Sequence, residues 1–190
     1  MFALLLVCAA PVVASYFTYY VIRPTGRPGF GTLIEPQRPI PEVVGVALDG
    51  RPVPLQTLTR QWLLLSVADA ACDPACQQRL YLQHQLRESL GKNMGRLDWV
   101  WLIDDAAPVP PALLPALKSA TVLRVAPDVL VRWLPAAPDH APTEHLYLVD
   151  PQGNLMMRFP ANLDLAGASR AKRMIERLLR ASSSWDGAGN

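Results

Sequence analysis

Apolar positions along this chain fall into blocks of different period, and the blocks outline an order of elements. Residues 43–48 and 52–55 flank Asp49-Gly50, a pair suited to a hairpin turn whose central residues take positive φ. Trp62–Ala68 is apolar except for Ser66, too short for a helix and without polar alternation, which predicts a central strand covered on both faces. Residues 76–94 follow another period. At about 100° per residue, Cys76, Leu80, Leu82, Leu86, Leu90 and Met94 share an arc of roughly 160°, the stripe of a core-facing helix, and Gly91 and Gly95 mark its end. Leu97–Ile103 is a second apolar strand, with Trp99 and Trp101 alternating onto one face as core residues. A proline-flanked helix is predicted over 113–120, a short strand over 122–125 and a loop over 135–144. Residues 146–149 and 155–157 form a hairpin around Asp150-Pro151-Gln152-Gly153. Asn162 or Asp164 caps a last helix to about Arg180. Its Ala168, Ala171, Met174, Ile175 and Leu178 make one face, and Arg170, Lys172, Arg173, Arg177 and Arg180 lie mostly off it. Alternating strands and helices closed by a hairpin imply an α/β fold, a mixed sheet with helices on its faces.

The first stretch changes that picture. Residues 2–22 carry no charge, and as a helix rising about 1.5 Å per residue they would reach roughly 31 Å, the thickness of a hydrocarbon core. Tyr16, Tyr19 and Tyr20 gather at the far end, and Arg23-Pro24 stops the run. No basic segment precedes it, as a cleaved secretory signal would require. The expected organisation is a transmembrane anchor at 1–22, a Pro/Gly-rich irregular linker at 23–41, a folded domain at 42–182 and a tail at 183–190. Basic residues follow the span and none precedes it, a bias that by itself would keep the domain cytoplasmic.

Of the 190 residues, 51% are hydrophobic and 18% charged, below the roughly 25% charge usual in soluble domains, which agrees with part of the chain lying outside water. The net charge of +2 excludes nucleic acid as an expected partner, and the apolar content excludes disorder. Neither a glycine-rich phosphate loop nor a zinc-protease motif is present, and no nucleophilic serine can be assigned a His and Asp.

Chemistry gathers at Cys72-Asp73-Pro74-Ala75-Cys76, where a buried strand hands over to a helix. Cysteines four apart can bring their sulfurs to bonding distance when the first lies just outside the helix. The positive end of the helix dipole favours thiolate, which is both the nucleophile of disulfide exchange and a soft ligand of Cu(I). Cys76, on the apolar stripe, is expected to be the more buried and Cys72 the accessible one. Cys8 reads as a plain apolar residue, His84 as a surface residue, Asp104-Asp105 as a solvated turn at the sheet end, and Met156-Met157 as packing.

Residues 43–180 resemble the thioredoxin superfamily, and within it the Sco/SenC family of cytochrome oxidase assembly proteins. The resemblance rests on Leu48-Asp49-Gly50-Arg51-Pro52-Val53-Pro54-Leu55, the strand Trp62–Ala68, the three-residue spacing of the cysteines, and Leu146-Tyr147-Leu148-Val149-Asp150-Pro151-Gln152-Gly153. It implies a thioredoxin-like fold behind one transmembrane helix, and Cu(I) held by Cys72 and Cys76. The implied partner is a cytochrome c oxidase subunit or its assembly factors, and the implied setting is a bacterial inner membrane with the domain in the periplasm. The family's ligating histidine would fall on Pro142 here, so His140, within the displaced Asp139-His140 pair, or His145 is the substitute third ligand. Pro142 resembles instead the cis-proline that thioredoxin-like folds place beside the dithiol, which points toward thiol–disulfide chemistry. Two alternatives stand beside copper-site assembly: a thiol–disulfide reductase in which Cys72 attacks and Cys76 resolves, and a scaffold protein without chemistry.

Overall fold

All seven residues of Trp62–Ala68 are buried, as an unbroken apolar run requires, and the molecule is built around this strand. The computed structural model describes Tyr16 and residues 30–182. In chain order these hold strands β1 (Thr32–Pro39), β2 (Val44–Ala47), β3 (Pro52–Pro54) and β4 (Trp62–Ala68), helix α1 (Pro74–Glu88), β5 (Leu97–Ile103), β6 (Thr121–Arg124), α2 (Pro127–Trp133), β7 (Tyr147–Val149), β8 (Asn154–Arg158) and α3 (Leu165–Ala181). They form one mixed sheet of order β1-β8-β7-β4-β5-β6-β2-β3. Strand β4 is parallel to β5 and antiparallel to β7, and β5 is parallel to β6.

The pleat of β4 sorts its side chains into two cores. Leu63, Leu65 and Val67 join Val100, Leu102, Tyr147 and Val149 beneath Leu130 and Trp133 of α2. On the other face Trp62 and Leu64 meet Leu82 and Leu86 of α1 and Ala171, Ile175 and Leu179 of α3. Further along that face Ala68, Trp99, Trp101 and Ile103 pack with Cys72, Cys76 and Leu80. One polar side chain fixes α1 over the sheet: the buried Gln83 Nε2 donates to the carbonyls of Leu64 at 2.9 Å and Val100 at 3.2 Å. These carbonyls belong to adjacent strands, so a single amide sets both the height and the rotation of the helix.

Five local departures from the sequence pattern have physical causes. Helix α2, at 127–133 between the expected strand and loop, was not expected; Pro127 opens its first turn, and Leu130 and Trp133 are buried against the sheet. Within the stretch expected to be irregular, Thr32–Pro39 is a strand paired antiparallel to β8. It lies at the sheet edge, where Pro36 and Pro39 need not donate to a ladder, and its register shifts between Leu33 and Arg38. Helix α1 ends at Glu88 rather than at Met94; Gly91, at φ +56°, leaves the α-helical region and Gly91–Arg96 continues as 3-10 turns. Pro111–Leu117 is 3-10 rather than α, because Pro115 inside it has no N–H to donate and crowds the preceding turn. Residues 142–144, within the expected loop, form a 3-10 turn. The hairpins and α3, capped by Asp164, follow the expected pattern.

Among the described residues no helix is long and apolar enough to cross a membrane. The span expected at 2–22, apart from Tyr16, lies outside the described residues, as do Cys8 and the tail at 183–190.

Candidate redox site at the turn from β4 to α1

The turn leaving β4 is held by its own carboxylates. Asp69 accepts the Cys72 N–H through Oδ1 at 3.0 Å, and Asp105 Oδ1 accepts the Ala70 N–H at 3.1 Å. Arg124 steadies Asp105 by donating to its carbonyl at 2.9 Å, with its carboxylate 3.7 Å away. The pair Asp104-Asp105, expected to be merely solvated, thus lashes the cysteine loop to the sheet end through its second member. Asp73 is the N-cap of α1: its Oδ1 accepts the Cys76 N–H at 2.7 Å, and Pro74 follows at a position where no N–H is needed. Gln77 Nε2 donates to the Cys72 carbonyl at 3.0 Å.

This scaffold brings Cys72 and Cys76 together as a disulfide, with the Cα atoms 5.1 Å apart. Cys72 lies just before the helix at φ +47°, the left-handed region that residues with a Cβ enter at a cost. The expected difference in exposure is not found. Cys72 is 1% exposed and Cys76 2%. Cys76 projects from the buried stripe of α1, and the covalent link carries Cys72 into the same apolar cluster, with Trp99, Trp101 and Ile103. Opposing fields act on the two sulfurs. Once the disulfide is reduced, the amino end of α1 acts in favour of thiolate, whereas the carboxylates of Asp69 and Asp73, bonded to the Cys72 and Cys76 N–H groups, act against it. The carboxyl of Asp104 is pushed upward, chiefly by burial and further by the charges of Asp105 and Asp69. Burial lowers the pKa of Arg79 on α1, while attraction to Asp73 and Glu144 opposes that shift.

The two candidate histidines are engaged elsewhere. His140 is exposed, and its Nδ1 lies 2.8 Å from Glu144 Oε2. Glu144 is held down to about 2, first by the Ala141 N–H and then by His140. His145 is buried at 1% exposure. Its Nδ1 faces the Phe159 carbonyl at 2.9 Å, which can only accept, and its Nε2 takes the Ala137 N–H at 3.2 Å. The ring is therefore the neutral Nδ1–H tautomer with both nitrogens occupied, and burial lowers its pKa. Among the described residues no group of three or more His, Cys, Asp or Glu is placed to hold a metal ion. Two soft sulfurs are present, but in this arrangement the residues do not supply a three-ligand copper set.

Pro142 does not play the cis-proline part either: among the described residues the cis peptide is Glu35–Pro36, and Pro142 opens a 3-10 turn. His84 is half-exposed, its ring edge-on to Trp99 at 5.5 Å. Met157 is buried in the core under α3 and Met156 packs against it. The spacing of the cysteines alone did not single out Asp69, Asp73, Gln77 or Asp105 as the residues that shape the site. Asp73-Pro74 was the available signal, an N-cap followed by proline at the first helical position; the others act across the fold and leave no local pattern.

Residues 62–182 match the family model of the transmembrane-like, thioredoxin-like, C-terminal domain. No curated protein matches the sequence. Among solved structures, a thiol:disulfide interchange protein of the thioredoxin family from Chlorobium tepidum superposes with a TM-score of 0.57 at 15% identity, covering 77% of this chain and 99% of that one. Yeast Sco1 with copper bound superposes with 0.54 at 16% identity, covering 86% and 98%. BsSco, a member of the Sco family of cytochrome c oxidase assembly proteins, gives 0.53 at 12% identity, covering 76% and 96%. Similarity at these identities establishes the thioredoxin-like fold.

Proposed function

The chain belongs to the transmembrane-like, thioredoxin-like, C-terminal domain family, and from that premise we propose that it is a membrane-tethered thiol–disulfide protein working through Cys72 and Cys76. The observation that carries this reading is the Cys72–Cys76 disulfide at the turn from the central strand into α1. In the reduced form the Cys72 thiolate attacks one sulfur of a partner's disulfide. A Cys72–partner bond forms and the partner's second sulfur leaves as thiolate. The Cys76 thiolate then attacks Cys72 Sγ, which restores the Cys72–Cys76 bond and releases the partner's first sulfur. Two electrons have passed from this dithiol to the partner, and a donor protein's dithiol reloads the site by the same exchange, attacking the Cys72–Cys76 bond and leaving oxidised to its own disulfide. Because both sulfurs are buried, attack requires the loop from Asp69 to Asp73 to open.

The partner class we favour is the cysteine pair of a copper site in cytochrome c oxidase, or an assembly factor serving it, on the periplasmic side of a bacterial inner membrane. Support comes from the three-residue cysteine spacing and from the fold shared with Sco proteins. Keeping such cysteines reduced needs no metal on this chain. Transfer of Cu(I) as cargo on the two thiolates is the second reading, favoured by the pair of soft donors and opposed by the engagement of both His145 nitrogens.

The test uses the reduced full chain with a disulfide-bonded peptide carrying an oxidase copper-site cysteine pair. Stoichiometric reduction is expected, abolished in Cys76→Ser with trapping of a mixed disulfide on Cys72, and absent in Cys72→Ser. No reduction, together with tight Cu(I) capture against a competing chelator, would replace this reading by the second. A reporter active only outside the cytoplasm, fused after Asn190, checks the periplasmic setting.

A further inference from the structure

Helix α3 buries Gly167, Ala171, Ile175 and Leu179 against the sheet. At about 100° per residue, Arg170, Arg173, Arg177 and Arg180 fall within an arc of roughly 80° on the opposite face. All four are exposed. Over that length the row runs about 15 Å. Lys172 and Glu176 pair with each other on its flank at 3.8 Å, so this acidic residue is matched by its own cation. Arg170 stacks over the Phe30 ring at 5.0 Å, and among the described residues no carboxylate pairs with Arg173, Arg177 or Arg180. A line of cations on a solvent face without acidic partners has nothing to gain from folding; it suits an extended anionic surface.

Where the chain enters the domain indicates which surface. Phe30 packs against Phe159 and on Arg170, and a Cβ on Gly167 would meet its ring at 3.2 Å, so the chain enters the domain against the first turns of α3. Eight residue steps separate Phe30 from Ile22, the end of the uncharged run, a reach of at most about 28 Å even when fully extended. We propose that the arginine row of α3 docks on the anionic lipid headgroups of the bilayer that holds the anchor, which sets the domain's orientation over the membrane. This rests on the tethered reading above. With the amino-terminal tether leaving beside the same helix, α3 cannot stray far from the bilayer, and each arginine near an anionic surface adds attraction that a neutral one does not supply.

The test compares the full chain in nanodiscs of neutral phosphatidylcholine with nanodiscs of an equimolar mixture with phosphatidylglycerol. Arginine modification by phenylglyoxal is read residue by residue by mass spectrometry. In anionic discs Arg173, Arg177 and Arg180 are expected to react about five-fold more slowly than in neutral ones, a difference erased at about 0.5 M NaCl. Arg132, exposed on the face of the sheet away from α3, reacts equally in both. Equal rates for the α3 arginines in the two lipids, whether fast or slow, overturn the docking. Alkaline extraction of the native membranes separates the premises: a chain that is retained but shows equal rates refutes the docking alone, whereas a chain that is extracted refutes the tether and the docking with it.

Discussion

Replacing His145 by leucine separates an anchoring role for this ring from a metal-ligating one. The ring donates through Nδ1 to the Phe159 carbonyl in a buried bond and accepts the Ala137 N–H at Nε2 in a half-buried one. Leucine keeps the apolar bulk and leaves both backbone groups unpaired, at about 1–3 kcal/mol for each unsatisfied group. A net loss of about 2–4 kcal/mol is expected, which for a domain of this size lowers Tm by about 5–15 °C. Asparagine, able to replace one of the two bonds, should recover part of it. The effect depends on pH in a determined direction. Burial lowers the His145 pKa in the fold below its ordinary 6.5. Above that value the ring is neutral in both folded and unfolded chains. As pH falls below it the unfolded chain takes a proton that the fold resists, so stability drops by up to about 1.4 kcal/mol per pH unit until the folded pKa is reached. His145→Leu lacks this slope, and the gap between the two proteins should be widest near neutral pH and narrow in mild acid. Urea unfolding followed by tryptophan fluorescence at several pH values reads both quantities. A variant within about 0.5 kcal/mol of the native protein, or one of unchanged stability that has lost Cu(I) affinity, would refute the anchoring role.

Removing the Asp73 cap separates its two effects: Asp73→Ala should cost about 1 kcal/mol and Asp73→Asn much less, while both lower the thiol pKa of the reduced site by deleting a nearby negative charge; ultraviolet thiolate absorbance against pH measures this. Glu144 is depressed to about 2 by the Ala141 N–H and His140, so it stabilises the fold above the ordinary carboxylate range and that contribution is lost as pH falls toward about 2. Glu144→Gln should therefore be the less stable protein at neutral pH and converge on the native one in strong acid, as acid titrations of the two would show. Gly153→Ala, at φ +89° with a Cβ that would sit 2.9 Å from Thr59 Cγ2, should lower stability by about 1–2 kcal/mol, read from the denaturant midpoint with the disulfide intact.

Most of the order of strands and helices, though neither the edge strand Thr32–Pro39 nor helix α2, and the junction that carries the cysteines were legible in the sequence because both rest on local pattern. An unbroken apolar run such as Trp62–Ala68 has few places other than a covered central strand, and a helix such as Leu165–Ala181 announces its buried face at fixed spacing. Two cysteines four apart at a strand-to-helix junction define a chemistry before any contact is known. What each side chain meets was decided only by the tertiary structure. Cys72 is buried because its link to Cys76 carries it under the loop, and Thr32–Pro39 is a strand because β8 offers it an edge where proline costs little. His145 became an internal support because the carbonyl of Phe159, fourteen residues away, and the N–H of Ala137 converge on its ring. Spacing along a chain determines which residues share a face; the groups that face them come from distant segments, and the packing of the whole domain selects those.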